Sequence, residues 1–324
     1  MKKTLSVVSI LLTMFSVSAF AADSSNRISY NVTTDFAFYP QSDYITGENH
    51  FAPLTGFYSG LEGRITGNLN YTIPTPLGSH WLLSDANLVL NANFEFSPVS
   101  IKPGVYAKFT PLPFIVFEAG AQIGTGWNLA GLQGMALFDP ISQSYKDLQP
   151  FSNWFLKWYA QGVFQFDTGA LVPGNWTHFQ LMYTYQVYYE GISGVKDGEV
   201  WMWQCANNRA NGLENYQSLI LAYQMPLVIS RVGFVFELNG HYQSSDYNAY
   251  YVNSNYDGSF KTINISPMAQ FTLSQKDVLS LLLGFSSRRS FYLEHTDSNI
   301  EPFLSTQGRE WFFNRIALSW SHNF

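Results

Sequence analysis

The chain has 324 residues and a formal net charge of −6; only 12% of residues are charged while 17% are aromatic, including 20 Tyr and 27 Phe. A soluble domain carries about 25% charged residues, so an ordinary soluble globule fits this composition poorly. The one cysteine, Cys205, excludes an internal disulfide framework and, beside Trp201 and Trp203, reads as a packed loop residue rather than a nucleophile.

The first element is a leader. In "MKKTLSVVSILLTMFSVSAFAADSS", Lys2 and Lys3 precede an apolar run from Leu5 to about Ala19, followed by Ala19-Phe20-Ala21. Charged start, hydrophobic middle and small-residue site together make a secretory signal peptide. The run is too short for a retained anchor, and no Cys follows the site to take a lipid. Residues 1–21 are therefore expected to be removed, and the exported chain to begin at Ala22. Beyond it no stretch reaches the roughly 18–20 apolar residues of a spanning helix; "VLSLLLGF" (278–285) is far too short. A charge-poor, aromatic-rich chain without such helices can satisfy its backbone in lipid by closing a sheet.

The rest of the chain alternates with the two-residue period of strands that have one apolar and one polar face. Ile28, Tyr30, Val32, Phe36 and Phe38 alternate with Ser29, Asn31, Thr33, Asp35 and Tyr39. Leu61, Ile65, Leu69, Tyr71 and Ile73 alternate with Glu62, Arg64, Thr66, Asn68 and Asn70. In "ANLVLNANFEF", Ala86, Leu88, Leu90, Ala92, Phe94 and Phe96 oppose Asn87, Asn91, Asn93 and Glu95. Val105, Ala107 and Phe109 oppose Tyr106 and Lys108. Ile115, Phe117, Ala119, Ala121 and Ile123 oppose Glu118 and Gln122. Trp154, Leu156, Trp158, Phe164 and Phe166 oppose Lys157, Gln161 and Gln165. Phe179, Leu181, Tyr183, Tyr185 and Val187 oppose His178, Gln180 and Gln186, after which 215–225 alternates poorly and its register is open. Val232, Phe234, Phe236 and Leu238 oppose Arg231, Glu237, Asn239 and His241. Ile263, Ile265, Ala269 and Phe271 oppose Asn264 and Gln270, and Leu279, Leu281, Leu283 and Phe285 oppose Ser280, Ser286 and Arg288. Last, Ile316, Leu318, Trp320, His322 and Phe324 oppose Arg315, Ala317, Ser319, Ser321 and Asn323.

Short connections near 74–79, 110–113, 167–175, 224–230 and 273–277 carry tight-turn residues, whereas long ones fall near 40–56, 128–153, 190–214, 243–259 and 292–310. Only the link near 97–101 is short on the long side. With both termini on the turn side, about twelve strands close, the even number bacterial barrels use. Pro103 and Pro267 each cost a ladder bond, so bulges are expected there. A soluble β-sandwich alternates too, but seldom with so few charges.

The ending "FNRIALSWSHNF" resembles the signal by which bacterial outer-membrane proteins are recognised by their assembly machinery. Leu318, Trp320 and Phe324 carry it, and His322 stands where Tyr or an apolar residue is usual. The resemblance implies a Gram-negative outer-membrane β-barrel, porin-like and of the small substrate-specific channel type. The expected fold is all-β: a transmembrane antiparallel β-barrel over residues 22–324, with short periplasmic turns and long extracellular loops. Its expected partners are outer-membrane lipid and lipopolysaccharide, the barrel-assembly machinery, and a small hydrophilic solute, with no nucleic acid.

The candidate lumen-lining residues are Asp35, Glu62, Arg64, Asn87, Asn91, Asn93, Glu95, Lys108, Glu118, Gln122, Lys157, Gln161, Arg231, Glu237, His241, Arg288 and Arg315. Such a set can fill a small barrel by pairing across it, or line a water-filled path that selects a solute. Its richness in Asn and Gln favours a narrow channel. The long loops are acidic, from Asp43 and Glu48 through Asp139, Asp197, Glu214 and Asp246 to Glu310, with few bases (Lys146, Lys196, Arg209, Arg309). A negative mouth concentrates cations; the same acids also suit solubility and divalent bridging to lipid headgroups. "SSDYNAYYVNSNYDGS" (244–259) mixes Tyr with Asp and Asn, which suits sugar rings or an ordinary surface loop. Its Asn253, Asn255, Asp257 and Gly258 imitate part of a calcium loop but carry too little ligand charge.

An enzyme reading finds little. The outer-membrane phospholipases use His-x-Ser, which does not occur here, and the neighbours in "EHTDS" (294–298) lack the convergence a nucleophile and base require. No catalytic residue, metal or cofactor is expected. The expected function is passive uptake of small hydrophilic solutes, sugars or cations. The alternatives are a non-conducting surface barrel acting as adhesin or antigen, and a hydrolase.

Overall fold

A computed structural model describes residues 27–324 apart from 44–48, 81, 205, 248–255, 293–300 and 302–303. The leader, Cys205, Asn253, Asn255 and the "EHTDS" segment lie outside the described residues. Twelve strands form one closed antiparallel sheet. They are β1 (Ile28–Gln41), β2 (Gly56–Pro74), β3 (Asn87–Ser97), β4 (Ser100–Leu112), β5 (Ile115–Gly126) and β6 (Phe155–Asp167). They continue as β7 (His178–Ile192), β8 (Gly212–Gln224), β9 (Ile229–His241), β10 (Thr262–Thr272), β11 (Asp277–Phe291) and β12 (Thr306–Asn323). Each pairs with its neighbours in the chain, and β1 closes on β12 from Asn31↔Asn323 to Phe38↔Ile316. The terminal strand is therefore a wall element, sealing the seam.

Alternation separates two environments. Asp35 is 4% exposed and Phe36 51%; Asn91 is 4% exposed and Leu90 43%. Leu69, Val105, Phe117, Phe179, Leu221 and Phe234 are likewise exposed on the outer face. An apolar band of this extent is stable only against hydrocarbon. Aromatic pairs edge it: Tyr30 on Phe324 (5.1 Å) and Phe179 on Tyr223 (4.8 Å) at the turn end, Phe38 on Phe57 (5.2 Å) and Phe285 on Phe313 (5.1 Å) at the loop end.

Two local expectations are corrected. Pro103 pairs with Phe94, and Pro267 with Phe234, in unbroken register. Each proline instead turns its missing N–H toward the other neighbour, where the ladder skips two pairs without slipping. The bulges lie elsewhere, for example at Phe109/Leu112 and Gly284/Phe285. The connection 75–86 is longer than the tight turn expected, whereas Ser97↔Ser100 closes the short link.

Two long connections turn back on the barrel. Met135–Asp139 and Ser144–Asp147, from the β5–β6 connection, join Val200–Trp203 and Ala206–Ala210, from the β7–β8 connection, in a four-stranded inner sheet. Met135, Trp201 and Trp203 pack with Phe155 and Ile192 at the loop ends of β6 and β7. Trp203 stacks on Phe155 at 4.4 Å, and a side chain at Gly124 would meet its ring at 3.0 Å. The inner sheet thus stoppers the loop-side mouth.

Candidate functional site

The candidate site is the inner wall, built from every second residue of each strand. Around β12, β1, β2, β3 and β4 runs a ladder of charge. Ser319 Oγ donates to Asp35 at 2.6 Å, Arg64 Nε donates to Asp35 at 2.8 Å, and Arg64 lies 3.6 Å from Glu95. Lys102 completes it, 3.1 Å from the other Glu95 oxygen. Cross-strand register brings these groups level, since Asp35 faces Arg64 and Glu95 faces Lys102.

A second network joins the wall to the stopper. Lys157 is 3.7 Å from Glu190 and 4.1 Å above the Tyr188 ring, and Arg209 of the inner sheet pairs with the same Glu190. Tyr188 donates to Glu214 at 2.7 Å, and His241 lies 3.7 Å from Glu214 and 2.9 Å from Asp246. Tyr216 donates to Glu237 at 2.5 Å, Tyr39 to Glu62 at 2.8 Å, and Arg288 pairs with Glu310, which also meets His50 at 2.6 Å. Glu214, Glu310 and Arg209 therefore belong to the interior, correcting their assignment to the external loops. Arg209 and Glu310 are ion-paired with Glu190 and Arg288, and Glu214 is held by Tyr188 and His241.

Toward the turn side the lining becomes amide-rich. Asn68 donates to Asn31 (2.9 Å), Asn91 to Asn70 (2.8 Å), Asn93 to Asn91 (2.8 Å) and Gln186 to Gln161 (2.8 Å). Tyr159 donates to Glu118 at 2.7 Å, and Lys108 faces Glu118 across the ladder. Tyr106, Lys108, Glu118, Gln122, Tyr159 and Gln161 are only half-buried, forming a vestibule open to water below the stopper. Asn87 and Arg231 stand at its rim, Arg231 level with Gln224 and Gln270, and Arg315 lies deeper, beside Gly284.

The opposite wall is apolar: Ile220, Ala222, Val235, Met268, Leu282, Ala317 and Ala37 form one buried cluster that reaches Ala206 of the inner sheet. Register settles 215–225, placing Ile220 and Ala222 inward beside Val235 and Gly233. Both faces of β8 carry apolar residues there, which erases the alternation a sequence can display.

Sequence reasoning also missed Lys102, Glu190, Tyr188 and the inner sheet. The one signal was "VWMW" (200–203), an apolar run too greasy for a solvated loop. The Tyr-rich loop is spent internally in its described part: Tyr247 donates to the Asn208 carbonyl at 2.8 Å, Asn208 to Tyr256 at 2.7 Å, and Arg289 lies 4.5 Å over the Tyr256 ring. In the loop hairpin, an ion pair with Lys146, with help from Ser142 and the Ile141 N–H, holds Asp139 well below the usual carboxylate range.

No protein-family model matches the sequence, and no curated protein matches it. Solved structures do match. An outer membrane channel from Pseudomonas putida F1 is 12% identical, with 92% of this chain and 95% of that one covered and a TM-score of 0.43. The KdgM porin is 8% identical over 90% of this chain and 99% of its own, with a TM-score of 0.35. The beta domain of the Bordetella autotransporter BrkA is 9% identical over 92% of this chain and 100% of its own, with a TM-score of 0.43. The barrel assignment itself rests on the closed strand pairing and the apolar outer band.

Proposed function

We propose that the protein is a bacterial outer-membrane channel for small hydrophilic solutes, exported through its leader and narrowed at the cell-surface side by the inner sheet. The observation that carries this reading is the half-buried vestibule of Tyr106, Lys108, Glu118, Gln122, Tyr159 and Gln161. A barrel filled only for stability gains by burying such groups in pairs or replacing them with apolar side chains. Here amides and hydroxyls face water along the turn-side half, offering the exchangeable hydrogen bonds a passing solute needs. Passage requires the inner sheet to yield, so the expected conductance is small and intermittent. The wall charges are largely paired, leaving selectivity to loop acids such as Asp197 and Glu199, and weak cation preference follows. Reversal potentials indicating anion selectivity would contradict that part of the proposal.

The test is planar-bilayer recording with the refolded protein and a graded set of uncharged sugars. Discrete openings that shrink as permeant sugars are added support the channel. Silence both from the parent and from a variant with 135–147 replaced by a short Gly-Ser linker would leave only the non-conducting surface barrel.

A further inference from the structure

Up the outer face of β12 from the Phe285–Phe313 ring pair, alternation presents Trp311 and then Arg309; Lys261 stands just before β10, two places ahead of the outward Ile263. At roughly 3.3 Å per residue, Arg309 stands about 13 Å along the strand from Phe313. With strands tilted about 35–45°, this puts it about 10 Å above the ring pair that edges the apolar band, the level expected for headgroups.

The two cations are built into one patch. Arg309 Nη1 donates to the Lys261 carbonyl at 2.7 Å and also to Ser287 Oγ. Lys261 Nζ donates to the carbonyls of Gly240 and His241, at 3.0 and 2.5 Å. Phe260 lies 4.2 Å under the Arg309 guanidinium and Tyr242 lies 5.4 Å under the Lys261 ammonium. The neighbouring cations Arg288 and Arg289 are neutralised by Glu310 and Glu301. Among the described residues, no carboxylate comes within ion-pair distance of Lys261 or Arg309. Two acids act on the patch from beyond contact: Glu214, which reaches Lys261 and already accepts from Tyr188, and Asp257, which reaches both cations and accepts from the Ser259 N–H and Oγ at 3.1 and 2.9 Å. Both cations keep part of their surface open.

Cations held on carbonyls and rings without a counter-ion form half of an ion pair. A phosphate supplies several acceptor oxygens, enough for the Arg fork and the Lys point charge at once. We propose that Lys261 and Arg309 bind a phosphate of an outer-leaflet glycolipid whose acyl chains lie against Phe285 and Phe313. This rests on the outer-membrane reading and is independent of conduction.

Native mass spectrometry of the detergent-solubilised full chain tests it, with bis-phosphorylated lipid A, dephosphorylated lipid A, phosphatidylglycerol and inorganic phosphate as probes. The expected result is retention of bis-phosphorylated lipid A, at least tenfold weaker retention of the other two lipids, and no change with EDTA. A K261Q/R309Q variant, checked as folded by its heat-modifiable gel migration, should lose the same tenfold; K261R should keep the parent's retention. Equal retention by the double variant, equal retention of dephosphorylated lipid, or loss with EDTA overturns the site. Competition by inorganic phosphate at equal concentration overturns it as well, marking an adventitious ion only. A parent that stays dissolved without detergent defeats the outer-membrane reading instead, and is told apart by that solubility.

Discussion

Arg64 is held between two carboxylates, Asp35 at 2.8 Å and Glu95 at 3.6 Å, with little of its side chain exposed. Removing it leaves both acids with less countercharge in a place water reaches poorly. Breaking a buried pair costs about 3–5 kcal/mol, so Arg64→Ala should lower the urea midpoint in phospholipid vesicles by that equivalent. A loss under about 1 kcal/mol would mean the pair behaves like a solvated surface bridge. Asp139 behaves differently because it lies at a partly exposed hairpin end, paired with the exposed Lys146. Its carboxyl is depressed when folded, so the contribution is present above the ordinary carboxylate range and is lost as pH falls through the lowered value. Hydrogen exchange of the 135–147 hairpin should be level between pH 5 and 7 apart from intrinsic chemistry, and should show added opening only below about pH 4. Opening that begins near pH 6 would assign the hairpin's stability to another group. Asp35 and Arg64 were legible as inward residues because each sits in a clean alternation. Lys102 was not, because Pro103 and Gly104 separate it from the clear alternation that begins at Val105.

Among elements, the inner sheet sets what the barrel can pass. It is anchored by Trp203 on Phe155 at 4.4 Å, by Arg209 on Glu190, and by Gln204, which donates to Ser100 at 2.7 Å. Trp203→Ala removes a large buried side chain, a change worth about 3 kcal/mol or more. If closure depends on that packing, an open–closed equilibrium shifts by roughly a hundredfold, and the fraction of time spent open in bilayer recordings should rise accordingly. Unchanged open time with an otherwise folded variant would show that the stopper does not control passage. The strands flanking this sheet were readable from their two-residue period; the sheet itself was not. Its pieces come from connections far apart in sequence, and their pairing of Trp201 with Leu137 exists only once the barrel brings both connections to one mouth.

At the scale of the whole molecule, the two faces of the wall should respond oppositely to the same substitution. Leu90 is 43% exposed toward the apolar band, while its neighbour Asn91 faces inward. Leu90→Arg places a charge against hydrocarbon and should cost about 2–4 kcal/mol if it lies near the bilayer midplane. Asn91→Gln, which keeps an amide on the inner face, should stay within about 1 kcal/mol. Vesicle refolding measured by urea titration checks both, and equal costs would contradict the inside–outside assignment.

The sequence by itself determined the element type, the approximate number of strands, the sidedness of all but β8 and, apart from 75–86, the alternation of short and long connections. All of these follow from local chemistry, because a strand against lipid must show its apolar residues at every second position and must turn at Gly, Pro, Asp and Asn. Only the tertiary structure decided which charges meet, how the β8 register runs, and that two loops fold inward. Those outcomes depend on through-space neighbours: Glu190 meets Lys157 and Arg209, Ile220 meets an apolar wall, and neither relation is written in any single stretch of chain.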